Sequence, residues 1–305
     1  MFVADTHCDT LYAMGVHHRG PEELMVTPEK MRRGGVQLQT MALWTGVKGS
    51  AGDVKGIVEA ELGQVPALLA GGLRQVTDPR DAKDQKEPCF MLSVEGGEVF
   101  EGGLETVAYW REKGVRIAAL TWNNPNAIGF PAKGGSREGL TRYGVEVVCE
   151  MQRLGIAVDT SHLNQAGFYD IFGQTLKPPM ASHSCCSALC DHFRNLTDTQ
   201  LREMIRGGGY VGVNFYPAFL SAEGRADAET VAQHIDHICQ MGGADIVGFG
   251  SDFDGIETTP DDLRTAEDIP NLLDALRRRG YSEEAIAGIA GGNLLSYFDR
   301  IDPRA

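Results

Sequence analysis

Five short stretches of the chain carry side chains that can bind a metal ion, and each comes at the end of an apolar run. They are residues 5–9, 93–97, 159–162, 181–184 and 250–254. Histidine nitrogens and carboxylate oxygens are ligands that zinc accepts in proteins. These stretches are far apart in sequence, so they form one site only if the fold brings them together.

The strongest single pattern is His7-x-Asp9, whose spacing puts both side chains on one face of an extended chain. A capping aspartate beside a hydrogen-bonded histidine gives the same pattern, and His162 or His183 taken singly also fits a buried core imidazole. Glu95 is harder to explain in this way, because it directly follows the apolar run FMLSV, and burying an unpaired carboxylate is costly. Three histidines and two carboxylates together favour a metal site.

Eight apolar runs alternate with segments of helical spacing, which is typical of an α/β protein. The runs are residues 2–5, 36–44, 89–94, 116–121, 156–160, 179–182, 210–215 and 246–250. Candidate helices between them are residues 56–70, 104–113, 142–154, 164–172, 197–206, 230–241 and 266–279. Eight units in about 250 residues predict a closed (β/α)8 TIM barrel, whose strands gather the active site at their C-terminal ends. No glycine-rich phosphate-binding pattern follows the first run, which disfavours an open doubly wound sheet.

We predict one barrel domain over residues 1–305, with residues 130–141 forming a long loop over the site. The net charge of −14 disfavours nucleic acid and anionic membrane surfaces as partners. The first ten residues lack the pattern of a signal peptide, so the expected location is cytoplasmic. Seven cysteines, with Cys185 and Cys186 adjacent, indicate reduced core thiols rather than disulfides.

Taken in order, the motifs resemble those of the membrane dipeptidase (renal dipeptidase) family of zinc metallopeptidases, peptidase family M19, which have an amidohydrolase-like barrel. The resemblance extends from residue 5 to residue 293. Its motifs are DTHCD at 5–9, SVEGG at 93–97, SH at 161–162, SHS at 182–184, RNLTD at 194–198, VNFY at 213–216 and GSDFDG at 250–255.

The resemblance implies a dipeptidase with two Zn²⁺ ions per chain and assigns its site residues. His7 and Asp9 would bind one ion, His162 and His183 the other, and Glu95 would bridge both. Asp252 would be the acid/base group, Arg194 would hold the C-terminal carboxylate of a dipeptide, and Tyr216 would contact the substrate. One departure is Trp122, where renal members have a histidine thought to donate to the reacting carbonyl.

The expected chemistry follows from the charges of such a site. Two Zn²⁺ ions outweigh Asp9, Glu95 and a bridging hydroxide, and metal ions lower the pKa of bound water to about 7. We expect this hydroxide to attack the peptide carbonyl while Asp252 takes the proton and returns it to the leaving amine. Arg194 suits a carboxylate because a guanidinium forms two parallel hydrogen bonds with it. The alternative for Arg194 is a surface cation that caps the following turn with Asp198.

Other interpretations stay open at this point. A barrel amidohydrolase acting on another small amide, such as an N-acyl amino acid, needs nearly the same ligands. A metal-binding scaffold without turnover is the non-enzymatic reading, and Trp122 is its best argument. The expected substrates are dipeptides, including those with a D-residue at the C-terminal position, and the resemblance also implies a homodimer. Asp254 is expected beside the site, and the remaining histidines are assigned to the surface or to packing: His17, His18, His192, His234 and His237.

Overall fold

Eight parallel strands close into a barrel in the computed structural model, which describes residues 1–45, 54–174 and 177–304. The strands are β1 (Ala4–Asp5), β2 (Leu38–Trp44), β3 (Arg74–Gln75), β4 (Cys89–Glu95), β5 (Val115–Ala119), β6 (Ala157–Asp159), β7 (Met180–Ala181), β8 (Tyr210–Val213) and β9 (Val247–Phe249). The barrel order is β1-β2-β4-β5-β6-β7-β8-β9, and β9 pairs with β1. The short β3 lies outside the ring, beside β4. Each of the eight predicted runs overlaps one barrel strand, so the predicted fold is confirmed.

Helices cover the outside of the barrel and connect its strands. They are α1 (Thr10–Gly15), α2 (Pro28–Gly34), α3 (Val54–Leu62), α4 (Val65–Ala70), α5 (Glu105–Glu112), α6 (Arg142–Arg153), α7 (Gln165–Gln174), α8 (Asp198–Gly207), α9 (Pro217–Leu220), α10 (Ala228–Ile238), α11 (Ile269–Arg278), α12 (Glu283–Ala287) and α13 (Asn293–Ile301). The single helix predicted over residues 56–70 is wrong, because the segment forms α3 and α4. Pro66 lies in the first turn of α4, and its missing N–H prevents one continuous helix.

The two longest strands show why the sequence folds into a covered barrel. β4 is buried over its whole length and β2 over all but its last residue, as expected for parallel strands with packed layers on both faces. Helix ends are set locally. Thr197 and Gln200, for example, form a reciprocal capping box at the start of α8.

The parallel arrangement brings the C-terminal ends of the strands to one end of the barrel, and the predicted site residues follow those ends. Two of them, His162 and Asp252, have left-handed backbone, with φ of 68° and 64°. Such conformations are uncommon outside glycine and mark a sharp change of chain direction directly after the strand. The predicted loop at residues 130–141 is irregular, and the Ala132 N–H donates to the His162 carbonyl at 2.7 Å.

All seven cysteines lie in the described ranges, and each is a free thiol, as predicted. Five of them are buried: Cys8, Cys89, Cys185, Cys186 and Cys190. No helix in the described part of the chain is both long and apolar enough to cross a membrane. The prediction of one domain over residues 1–305 includes residues outside the described ranges and stays a prediction.

Candidate active site

Glu95 lies between two groups of predicted ligands, at the end of β4. Its Oε1 atom is 2.8 Å from Nε2 of His162 and 3.4 Å from Nε2 of His183. Its Oε2 atom is 3.8 Å from Nε2 of His7, which is also 3.4 Å from Oδ2 of Asp9. All five side chains are buried. The structure therefore brings together every residue that the sequence analysis selected as a metal ligand, with one Glu95 oxygen facing each histidine group.

The orientation of two imidazoles provides a test of whether a metal ion fits. Nδ1 of His162 lies 3.2 Å from Oδ1 of Asn123, and Nδ1 of His183 lies 2.7 Å from Oγ of Ser182. If each Nδ1–H donates to that oxygen, both Nε2 atoms carry bare lone pairs, and these atoms are only 3.1 Å apart. Two lone pairs and a Glu95 oxygen repel one another at such distances unless a cation or a proton lies between them. The residues present fit a metal ion, and oxygen partners on the second ring nitrogen are the usual support of metal-binding histidines.

The ligand group around His7 also fits a metal ion, and a different observation supports this. Nε2 of His7 is buried and has no hydrogen-bond partner in the described ranges. Oxygens of Asp9, Glu95 and Asp252 surround it at 3.4 to 3.8 Å. Nitrogen and carboxylate oxygen form a donor set that zinc accepts.

The pKa values show how strongly this buried cluster needs positive charge. Burial lowers the pKa of His162 and His183 well below the usual range, so both rings are neutral. Burial would also lower the pKa of His7, but the charges of Glu95 and Asp9 outweigh it and raise the value to about 10. Burial, with the Asp9 charge, raises the pKa of Glu95 well above its ordinary value. Three neighbouring carboxylates thus favour a cation, or a proton in its place.

A polar network below the ligands holds the ends of β6 and β7 together. Asp159 accepts hydrogen bonds from the backbone N–H groups of Ser161 and Ser182, each at 2.9 Å, and from the Ser182 hydroxyl. Ser182 in turn lies against Nδ1 of His183, so the network fixes the orientation of that ring. Asp159 and Asn123 were not identified from the sequence as supporting residues. Asp159 lies three residues before His162 in the chain, which was its only signal, whereas Asn123 is 39 residues from His162 and had none.

Asp252 lies on the opposite side of the ligand group, with its two oxygens in different surroundings. Oδ2 accepts a hydrogen bond from Nδ2 of Asn214 at 2.8 Å, and Oδ1 lies 3.7 Å from Nε2 of His7. Burial raises the pKa of Asp252 to about 7, although His7 acts in the opposite direction. Asn214 also accepts from the Tyr216 N–H at 2.6 Å, and it too was missed from the sequence. The single contact from Asn214 orients Asp252 and leaves Oδ1 facing the ligands.

An open cavity of about 400 Å³ lies over the ligand group. Asp252, Arg194 and Tyr216 line it, so the predicted substrate contacts share one space with Asp9, Glu95 and His162. Arg194 is only 5% exposed, and its Nε has no partner in the part of the chain that the structure describes. Its Nη2 donates weakly to the His183 carbonyl at 3.4 Å. The alternative of Arg194 as a surface cap is wrong, because the side chain is buried at the cavity.

Further cavity residues were absent from the sequence prediction. His17 was assigned to the surface or to packing; it is exposed, and it lines the open cavity together with Arg19. His234 is buried, as a packing residue should be: Nδ1 accepts from the Cys186 N–H at 3.0 Å and Nε2 lies 2.9 Å from the Leu220 carbonyl. Asp254 lines the cavity, as expected of a residue beside the site, and it accepts from the hydroxyl of Thr10 at the start of α1 and from the Met25 N–H.

Comparisons with known proteins agree with this geometry. A family model described as membrane dipeptidase, peptidase family M19, matches residues 1–303. A solved M19 metallopeptidase, dipeptidase AC, superposes with a TM-score of 0.89 at 26% identity and covers 100% of this chain and 99% of its own. A metallopeptidase from Rhodobacter sphaeroides, solved with a phosphinate mimic of the dipeptide L-Ala-D-Ala, gives a TM-score of 0.89 at 25% identity and covers 99% of both chains.

Sequence relatives extend the comparison. An uncharacterised protein from the pqqA 5′ region of Klebsiella pneumoniae is 36% identical over 249 residues, which are 77% of this chain and 92% of that protein. The chain spans about half the length of three fungal relatives that carry the word dipeptidase in their names.

Proposed function

The chain belongs to the membrane dipeptidase family, peptidase family M19, and on that basis we propose that it is a metal-dependent hydrolase of dipeptides that uses two Zn²⁺ ions. The observation that carries the proposal is Glu95, whose two carboxylate oxygens face different ligands, Oε2 toward His7 and Oε1 toward His162 and His183. His7 and Asp9 would hold one ion, His162 and His183 the other, and Glu95 would be shared by both. When bound, such a pair of ions makes water a stronger acid and polarises a carbonyl group.

The substrate carboxylate binds at Arg194. Its guanidinium lies at the cavity and is buried, its Nε–H has no hydrogen-bond partner among the described residues, and its Nη2 is only weakly engaged. Two parallel N–H groups match the two oxygens of a carboxylate, and the low-polarity surroundings strengthen that pairing. Tyr216 lines the same side of the cavity and contacts the substrate there. Because a fixed cation marks one end of the substrate, short peptides with a free C-terminus are the preferred class.

Asp252 moves the proton in this proposal. Its Oδ1 faces the ligand group, while Asn214 holds Oδ2. A carboxylate fixed in this way accepts at Oδ1 the proton that a water molecule loses as it attacks the peptide carbonyl, and it returns this proton to the amine when the C–N bond breaks. The Asp9 or Asp252 carboxylate also provides the negative charge that a free substrate ammonium requires.

A substrate panel tests the proposal. Protein loaded with Zn²⁺ or Co²⁺ is assayed against L,L-dipeptides, L,D-dipeptides and N-acyl amino acids. We expect hydrolysis of dipeptides and little turnover of the N-acyl compounds, which lack the free ammonium. The L,D set is included because the Rhodobacter sphaeroides neighbour binds a mimic of L-Ala-D-Ala. Faster turnover of N-acyl amino acids would instead favour the amidohydrolase alternative, and loaded protein without any turnover would favour the scaffold. A cytoplasmic location and a homodimer stay predictions.

A further inference from the structure

Three aromatic side chains form a connected surface on one side of the cavity, which we call the aromatic wall. They are Tyr12 in α1, Trp44 at the end of β2, and Trp122 three residues after β5. The Trp44 and Trp122 rings meet edge to face, with centroids 5.1 Å apart and planes at 89°. Tyr12 and Trp44 make a similar contact at 4.6 Å and 68°. Such contacts are the favoured geometry of aromatic pairs and hold the rings in fixed orientations.

The backbone below the wall is also fixed. The Trp44 N–H donates to Oε1 of Glu61 at 3.0 Å, and Glu61 is fully buried. The wall residues themselves are only half-buried and line the cavity, so part of each ring faces its interior. A rigid apolar surface that is left open in this way is suited to an apolar group of a ligand.

The strand order places the wall across the cavity from Arg194. The wall residues follow β1, β2 and β5, whereas Arg194 follows β7, and Tyr216 follows β8. In the closed ring, one half of the barrel consists of β1, β2, β4 and β5. The opposite half consists of β6, β7, β8 and β9. A dipeptide whose carboxylate lies at Arg194 and whose peptide group lies over Glu95 therefore points its N-terminal residue toward the aromatic wall.

We propose that the aromatic wall binds the side chain of the N-terminal residue, and that the protein prefers dipeptides beginning with a large apolar residue, above all an aromatic one. This inference rests on the proposed dipeptidase function and adds the substrate class. Burial of an aromatic side chain removes far more apolar surface from water than burial of an alanine methyl group, and ring contacts add to that gain. Trp122 has a defined role in this proposal, since it completes the wall at the position where the family resemblance leads one to expect a histidine.

The first test compares kcat/KM for Phe-Ala, Ala-Ala and Ala-Phe. We expect the wild type to favour Phe-Ala over Ala-Ala by roughly tenfold or more. Trp122→Ala should reduce this ratio by roughly tenfold, whereas Trp122→Phe should keep most of it, because a ring still completes the wall. The matched control is Tyr109→Ala on the outer surface of α5, which removes an exposed aromatic ring far from the cavity and should leave the ratio unchanged.

The second test measures binding without turnover. The chain has three tryptophans, and two of them belong to the wall, so in Trp110→Phe protein the fluorescence reports on Trp44 and Trp122 alone. Phosphinate mimics of Phe-Ala and Ala-Phe are titrated into the metal-loaded protein. The Phe-Ala mimic should bind more tightly and change the fluorescence more strongly.

The outcomes separate the two proposals. If dipeptides are hydrolysed but Phe-Ala has no advantage over Ala-Ala, or Trp122→Ala keeps that advantage, the aromatic wall does not bind the N-terminal side chain. If Trp122→Ala impairs Ala-Phe instead, the wall faces the C-terminal residue and the proposal is wrong. If no dipeptide is hydrolysed by loaded protein, the proposed function fails and this inference fails with it.

Discussion

Replacement of Arg194 by leucine should separate binding of the substrate carboxylate from protein stability. The guanidinium is buried. Within the described ranges its Nε has no hydrogen-bond partner, and its Nη2 makes one weak hydrogen bond at 3.4 Å. Two charge-assisted hydrogen bonds to a carboxylate contribute about 1.5 kcal/mol each at the lower end of their range. Their sum of about 3 kcal/mol corresponds to roughly a hundredfold in kcat/KM, since each 1.4 kcal/mol is tenfold.

The assay compares a dipeptide with its C-terminal amide, which keeps the shape of the substrate but removes the charge. The wild type should prefer Phe-Ala over Phe-Ala amide by about a hundredfold, and Arg194→Leu should lose nearly all of that preference. Whereas the substrate preference should fall in Arg194→Leu, the stability of the fold should not. Exchange of a buried, poorly paired cation for an apolar side chain is neutral or stabilising, so the free energy of unfolding in urea should stay the same or rise.

Arg116→Leu is the matched control, because Arg116 is also buried but is fully engaged. It donates to Oδ2 of Asp302 at 2.7 Å, to the Thr77 carbonyl at 3.0 Å and to the Gly155 carbonyl at 3.1 Å. Its removal should cost about 2–3 kcal/mol of stability and leave the preference for the free carboxylate intact. The reasoning would be refuted if Arg194→Leu kept the preference for Phe-Ala over its amide, or if it destabilised the fold as much as Arg116→Leu does.

Three further predictions concern the ligands, the proton carrier and the stability at low pH. Asp252→Asn should lower kcat by about 10² to 10⁴ with metal content unchanged, and near wild-type turnover would contradict the proton transfer role. Glu95→Gln should reduce the metal content, measured by plasma mass spectrometry, from two ions per chain to one or none, and retention of both ions would argue against a shared carboxylate. Burial lowers the pKa of His234 to about 4, so between pH 6.5 and 4 the unfolded chain binds the additional proton and stability falls as the pH falls. Urea unfolding of the wild type and of His234→Asn at pH 7 and pH 4.5 measures this loss of stability. The loss should be about 2–3 kcal/mol smaller in His234→Asn. An equal loss in both proteins would show that His234 is not its source.

The barrel could be predicted from the sequence because its strands are buried on both faces. Burial of this kind requires continuous apolar runs, and eight such runs are visible without any knowledge of tertiary contacts. Helices α1, α2, α9, α12 and α13 were not predicted. They are short, at four to nine residues each, and give too few turns for a periodic pattern to stand out. The division between α3 and α4 depends on Pro66, a signal that was present in the sequence but was not weighed.

In the site, the sequence predicts only those residues that have the side chain of a metal ligand and that follow the end of a strand. His7, Glu95, His162 and His183 follow strand ends, so their convergence is a consequence of parallel topology. Their roles as zinc ligands stay a prediction. Asn123 could not be identified in this way. Its role is one hydrogen bond to His162, and that bond depends on how the connection after β5 folds. His17 and Arg19 reach the cavity from the chain after α1, and no local pattern indicates that direction.

The two buried arginines show how this barrel divides stability and function between its ends. Arg116 is the second residue of β5, at the N-terminal end of the barrel, where several of its N–H groups donate to protein oxygens. Arg194 lies at the C-terminal end, where neither its Nε nor Nε2 of the buried His7 has a hydrogen-bond partner among the residues that the structure describes. A buried polar atom without a partner costs free energy, so such atoms persist only where a ligand engages them or where the rest of the fold compensates. Residue type alone does not separate the two arginines. Their hydrogen-bond partners do, and they indicate that the end of the barrel with unsatisfied charged groups is the end that binds metal ions and substrate.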